Sequence, residues 1–164
     1  MSIELFKPYV DFVFKGIFKK SEKSLAYLIC AIQGWPDDAI KSITYMDSEL
    51  NRSQQDGKAG AVDLFVEIED GKKIQIEIQV LSQECYPERA VYYASRLHAN
   101  QLRKGERYGE LQPLICIHIL VFNLFKDTRA LRSFSLLDEK SHEKLCDHLK
   151  IVFLEINKAD LDNN

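Results

Sequence analysis

The chain has 164 residues, of which 46% are hydrophobic and 29% charged, with a formal net charge of −3. That length and balance describe one folded domain, expected over residues 1–158 with a short polar tail at 159–164. No apolar run approaches the roughly 18 residues of a membrane span, MSIELFKPYV lacks the basic and apolar regions of a secretory signal, and the negative balance argues against a broad basic surface that wraps nucleic acid; a cytoplasmic protein with at most a local basic groove is expected.

Residues 8–33 read as helical: Val10, Phe14, Ile17 and Phe18, then Leu25, Leu28, Ile29 and Ile32, recur at helical spacing. Ser21-Glu22 marks a candidate break, and Gly34-Trp35-Pro36 ends the pattern. A short strand is expected over 40–46, followed by a polar loop from Asp47 to Gly60.

Residues 61–69 then alternate, with Val62, Leu64, Val66 and Ile68 on one face and Asp63, Phe65, Glu67 and Glu69 on the other. Residues 73–80 alternate likewise, Ile74, Ile76, Ile78 and Val80 against Gln75, Glu77 and Gln79. Asp70-Gly71 between them signals a hairpin. A two-residue loop would set Asp63 among isoleucines, at a cost of several kcal/mol. An odd loop at 70–72 instead pairs Glu69 with Lys73, sets Asp63 opposite Gln79 and makes Asp63 and Glu77 diagonal neighbours. Two carboxylates so placed can converge on a hard cation, which takes oxygen ligands and keeps waters. Glu67, Glu69 and Gln75 read as surface alternation.

A second amphipathic helix is expected over 84–105, entered near Pro87 and stopped by Gly105. LICIHILVFNL at 114–124 reads as a strand too continuous in apolar residues for an exposed edge. A weaker strand at 132–137, a short helix at 139–148 and a strand at 149–156 complete the chain. This order describes an α/β domain with a mixed central sheet and flanking helices. The four cysteines, Cys30, Cys85, Cys116 and Cys146, form no CxxC pair and read as reduced thiols. His118, inside an apolar strand, reads as a satisfied core residue.

Asp63 followed after a hairpin by Glu77-Ile78-Gln79 resembles the PD-(D/E)XK nuclease superfamily, with glutamine at the usual lysine position. More narrowly, four segments resemble the Rpn family of recombination-promoting, transposase-like nucleases. They are YVDFVFKGIF (9–18), DGKAGAVDLFVEIEDGKKIQIEIQ (56–79), YPERAVYYASRLHANQLRKGERY (86–108) and LKIVFLEINK (149–158). The middle two are specific. The resemblance implies a restriction-endonuclease-like αβββαβ core and a Mg²⁺-dependent DNA endonuclease, with Mn²⁺ as the alternative ion. It implies Asp63 and Glu77 as metal ligands with the carbonyl of Ile78, Gln79 at the lysine position, and Asp11 as an additional helix carboxylate. Lys15, one turn beyond Asp11, is a candidate to supply the positive charge that Gln79 lacks. Lys58 and Arg89 are candidate DNA contacts. Double-stranded DNA is the expected partner, with a second copy of the chain as another. The competing expectation is a catalytically weak or inactive nuclease-fold interaction or inhibitory module that pairs with a full-length relative.

Overall fold

The structure is a computed structural model that describes Phe14, residues 16–46 and residues 64–159. Asp11, Lys15, Lys58 and Asp63 lie outside the described residues, so the expectations that rest on them carry no structural account.

Helix α1 (Glu22–Gln33) begins where Ser21, in extended conformation, accepts a hydrogen bond from the Ser24 amide at 3.2 Å. It ends at Gly34, whose φ of 67° is the left-handed conformation that glycine adopts without a Cβ penalty. Its break from the preceding segment falls where Ser21-Glu22 suggests it. Leu25, Ile29 and Ile32, one apolar stripe, are buried.

The six strands are β1 (Ile43–Tyr45), β2 (Leu64–Ile68), β3 (Lys73–Gln79), β4 (Leu114–Leu120), β5 (Leu131–Ser135) and β6 (Leu149–Glu155). They form one sheet in the order β1-β2-β3-β4-β6-β5. β1, β2 and β3 make an antiparallel meander, β4 lies parallel to both β3 and β6, and β5 closes the far edge antiparallel to β6. Helix α2 (Tyr86–Ala99) makes the crossover from β3 to β4. The expected mixed α/β architecture is thus observed.

The sheet is covered on both faces, and two cores follow. Leu64, Val66, Ile74, Ile76, Ile115 and Ile117 pack with Leu25 and Ile29 of α1. On the other face Leu114, Cys116, Leu120 and Phe153 pack with Tyr86, Ala90, Ala94 and Leu97 of α2. Those helix residues recur every three or four positions, and the two alanines allow close approach to the sheet. All seven residues of β4 are buried, as its unbroken apolar sequence requires of a central parallel strand. Among the described residues no helix is long and apolar enough to cross a membrane.

Two expectations are corrected. The β2–β3 loop has the odd length expected, but it spans 69–71 rather than 70–72. Glu67 pairs with Lys73, the Ile68 amide donates to the Lys72 carbonyl at 3.0 Å, and the Gly71 amide donates to the Ile68 carbonyl at 2.9 Å. Glycine decides this: Gly71 has φ 84°, and a three-residue hairpin needs its left-handed residue in the last loop position. Glu69 therefore leaves the strand, and its carboxylate accepts from the Lys41 and Ser42 amides at 2.9 and 3.3 Å. The diagonal relation expected between positions 63 and 77 rested on the register that is not observed. The second correction is the helix expected at 139–148. This segment is instead a turn closed by the Leu137–Lys144 bridge. The Asp138 carboxylate takes the Lys140 and Ser141 amides at 3.0 and 2.7 Å, which offers the backbone a local alternative to a helical turn.

Candidate active site

Alternation along β3 puts Gln75, Glu77 and Gln79 on the face covered by α2. Gln75, expected as surface alternation, is instead buried, 2% exposed, and Glu77 is 8% exposed. A buried carboxylate must be partnered, and the surroundings of Glu77 answer to that. Oε1 lies 3.8 Å from Nη2 of Arg89, in the first turn of α2. Oε2 lies 3.5 Å from Nε2 of Gln75 and 3.8 Å from Nδ1 of His118.

Helix α2 sets this geometry. Pro87 fixes the backbone of its first turn, where a missing amide costs nothing. Cys85 before it is in the left-handed conformation, φ 54°, which turns the chain sharply out of the loop after β3. Tyr86 is thereby driven into the core and Arg89, one turn on, reaches the sheet. The Arg89 guanidinium carbon lies 5.1 Å from the centre of the Tyr93 ring, a cation–π contact that holds the arginine in place.

His118 is the register partner of Glu77 across the parallel β3–β4 pair. It is 2% exposed, stacks on Phe153 with ring centres 5.1 Å apart, and shares a hydrogen bond of 3.1 Å with the Tyr86 hydroxyl through Nδ1. Its Nε2 is buried without a hydrogen-bond partner. Burial, reinforced by the Arg89 charge, pushes its pKa down to about 4. At neutral pH it is therefore an uncharged imidazole, and its approach to Glu77 is not an ion pair. Beside it, burial and then the Glu77 charge raise the Cys116 thiol pKa, so this cysteine stays protonated.

The structure thus brings together Glu77, Ile78, Gln79 and Arg89 of the residues singled out from sequence. Gln79 ends β3, and its side-chain amide donates to the Leu81 carbonyl at 2.9 Å. Arg96 is half-buried, its guanidinium carbon 6.0 Å from the centre of the Tyr92 ring. Three members were missed: Gln75, Tyr86 and His118. For His118 the signal was present, a lone imidazole in an apolar strand. Only the parallel β3–β4 register turns it toward Glu77.

The carboxylate of Glu77 and the carbonyl of Ile78 are hard oxygen donors, the type that Mg²⁺ and Mn²⁺ take. Among the described residues no group of three or more His, Cys, Asp or Glu is placed to hold a metal ion.

No curated protein and no solved structure matches the chain. One family does match, over residues 8–164, a span that contains the whole sheet, both helices and every candidate residue. The chain belongs to the PD-(D/E)XK nuclease family transposases.

Proposed function

We propose that this protein is a divalent-metal-dependent DNA endonuclease that acts in the cytoplasm on double-stranded DNA, in recombination, mobile-element movement or defence. The observation that carries the reading is Glu77: a carboxylate held under α2, at the family's glutamate position, with an arginine beside it. Burial of that kind is costly for a purely structural residue and ordinary for a working one.

Glu77 and the carbonyl of Ile78 would hold the ion with Asp63 and Asp11. When bound, the ion supplies an acidified water and neutralises charge on the phosphate. The chain's own residues do the rest. Gln79, neutral, orients the attacking water through its amide without stabilising an anion. Arg89 and Lys58 grip phosphate oxygens. Lys15 supplies the cation that the superfamily places where Gln79 stands. His118, uncharged, lies along one flank of Glu77, with Nδ1 3.8 Å from Oε2.

The test is nicking of supercoiled plasmid in Mg²⁺ or Mn²⁺ by wild type, Asp63→Ala and Glu77→Ala. The wild type should nick and both variants should lose the activity. Equal cutting by all three would sink the site. A wild type that binds metal but never cuts would leave the fold as an interaction module.

A further inference from the structure

At the opposite end of the sheet from Glu77, and on its other face, lies a cavity of about 290 Å³. It opens where β4 and β6 begin, between the end of α1 and the β2–β3 hairpin. Three lysines line it, Lys72, Lys144 and Lys150, with Asp147 as its carboxylate. Lys72 is paired with Asp70 and Lys144 with Asp147, the latter at 2.5 Å. Among the described residues Lys150 forms no ion pair. Its ammonium donates to Oε1 of Gln33 at 2.8 Å, and burial and then the Lys144 charge lower its pKa against the opposite pull of Asp147. The Nε2 of the same Gln33 is buried with no hydrogen-bond partner. The three lysines of the cavity outnumber Asp147, which pairs with Lys144 and also acts on Lys150, so the cavity keeps a net positive charge that an anionic ligand would offset.

The other wall says what the anion is attached to. Trp35, Pro113, Ile115 and Leu149 give it an apolar side, with the indole as a flat surface. The volume sits at the small end of ligand sites, which run from roughly 300 to 1,000 Å³. It is larger than a bare phosphate needs, since a single water takes about 30 Å³. A flat ring carrying a phosphate monoester fits both walls. We propose that this cavity binds a 5′-phosphorylated nucleoside, its phosphate at Lys150 and Lys144 and its base on Trp35. The inference does not depend on the nuclease reading, because it concerns different residues on the other face of the sheet.

Trp35 is the one tryptophan of the chain, so its fluorescence reports on the cavity directly. Titration is done without divalent metal, so that cleavage plays no part, using deoxyadenosine monophosphate, deoxyadenosine, inorganic phosphate and a 5′-phosphorylated oligonucleotide. Saturable change with the monophosphate is expected, with the nucleoside and phosphate each binding more weakly. Lys150→Met and the surface variant Lys144→Ala, both checked for folding by circular dichroism, should each weaken binding about tenfold. If the oligonucleotide binds more tightly than the monophosphate, the natural ligand is a strand end; the reverse order assigns a free nucleotide. No saturable change with wild type, or equal affinity in the folded Lys144→Ala variant, would overturn the proposal. Phosphate binding as tightly as the nucleotide would overturn the nucleoside assignment.

Discussion

Glu77 of β3 and His118 of β4 are register partners in a parallel strand pair, with Oε2 and Nδ1 3.8 Å apart, beneath the first turn of α2. The pair has a consequence for acid stability. His118 has a folded pKa lowered to about 4 by burial and by Arg89, against an ordinary value of 6.5. The unfolded chain therefore binds the proton more readily, and folding stability must rise with pH across that interval. The contribution is complete above about pH 6.5 and lost as pH falls toward 4, worth roughly 3 kcal/mol at most. Urea midpoints from pH 7 to 4.5 should fall in the wild type and fall less in His118→Phe, which keeps the ring stack on Phe153. His98, lowered in the same direction by burial and His148, leaves a residual slope in both proteins. Parallel pH profiles would mean that His118 does not carry the effect.

At Glu77 the conservative Glu77→Gln variant separates charge from packing. The amide fills the same volume and can still meet Gln75, so thermal melting should shift little. The negative charge that would hold a cation is gone. On the proposed function, cleavage should drop about 100-fold or more, since the ion's share of transition-state stabilisation is several kcal/mol. Calorimetric Mn²⁺ titration is the companion measurement. Unchanged metal affinity in this variant would place the ion elsewhere.

Arg89 calls for a different readout, because it pairs with Glu77 and, on the proposed function, grips phosphate. Arg89→Ala should weaken DNA binding and make it less steeply dependent on salt, by about one phosphate contact. Fluorescence anisotropy on a short duplex across a salt series would measure both. An unchanged salt slope would confine Arg89 to holding Glu77 and Tyr93.

Much of this was legible in the chain itself, for reasons that residue pairs make plain. The alternation Leu64-Val66 and Ile74-Ile76 gave both hairpin strands and the parity of their loop, because one-residue slips would have buried charge. Ser21 and Gly34 marked the ends of α1 because caps are local chemistry. The Glu77–His118 neighbourhood was not legible: a parallel pairing joins strands separated by a whole helix, and nothing local to LICIHIL states which neighbour it takes. Gln75 looked like part of a wetted face because alternation reports polarity, not what covers it. The helix expected at 139–148 gave way to Asp138, whose carboxylate captured the backbone first.

Glu155 offers a stability prediction independent of any activity. It is fully buried at the end of β6, and its Oε1 accepts from the Leu124 and Phe125 amides at 2.5 and 3.1 Å. Its Oε2 pairs with Lys158 at 2.8 Å. Burial alone would raise its pKa, but Lys158 and the two amides outweigh it and the net shift is downward. Glu155→Ala would strand both amides and leave the Lys158 ammonium with the Phe125 carbonyl in place of its counter-charge, and should cost about 3–5 kcal/mol in denaturant unfolding. A loss under about 1 kcal/mol would show that the loop after β4 re-satisfies those donors with water.

The hairpin that carries Glu77 rests on Gly71, and its register can be tested there. With φ 84°, any L side chain at this position is strained by about 1–2 kcal/mol. A Cβ would also come within 2.8 Å of the Gln112 side-chain oxygen, a flexible end able to move aside. Gly71→Ala should therefore lose about 1–2 kcal/mol, and Gly71→Asn less, because asparagine tolerates the left-handed region. If the loop spanned 70–72, glycine would sit in its middle, where the three-residue hairpin does not demand a left-handed residue. Alanine would then be nearly neutral and asparagine no better than alanine. Urea unfolding of the two variants thus reads the register of the hairpin itself.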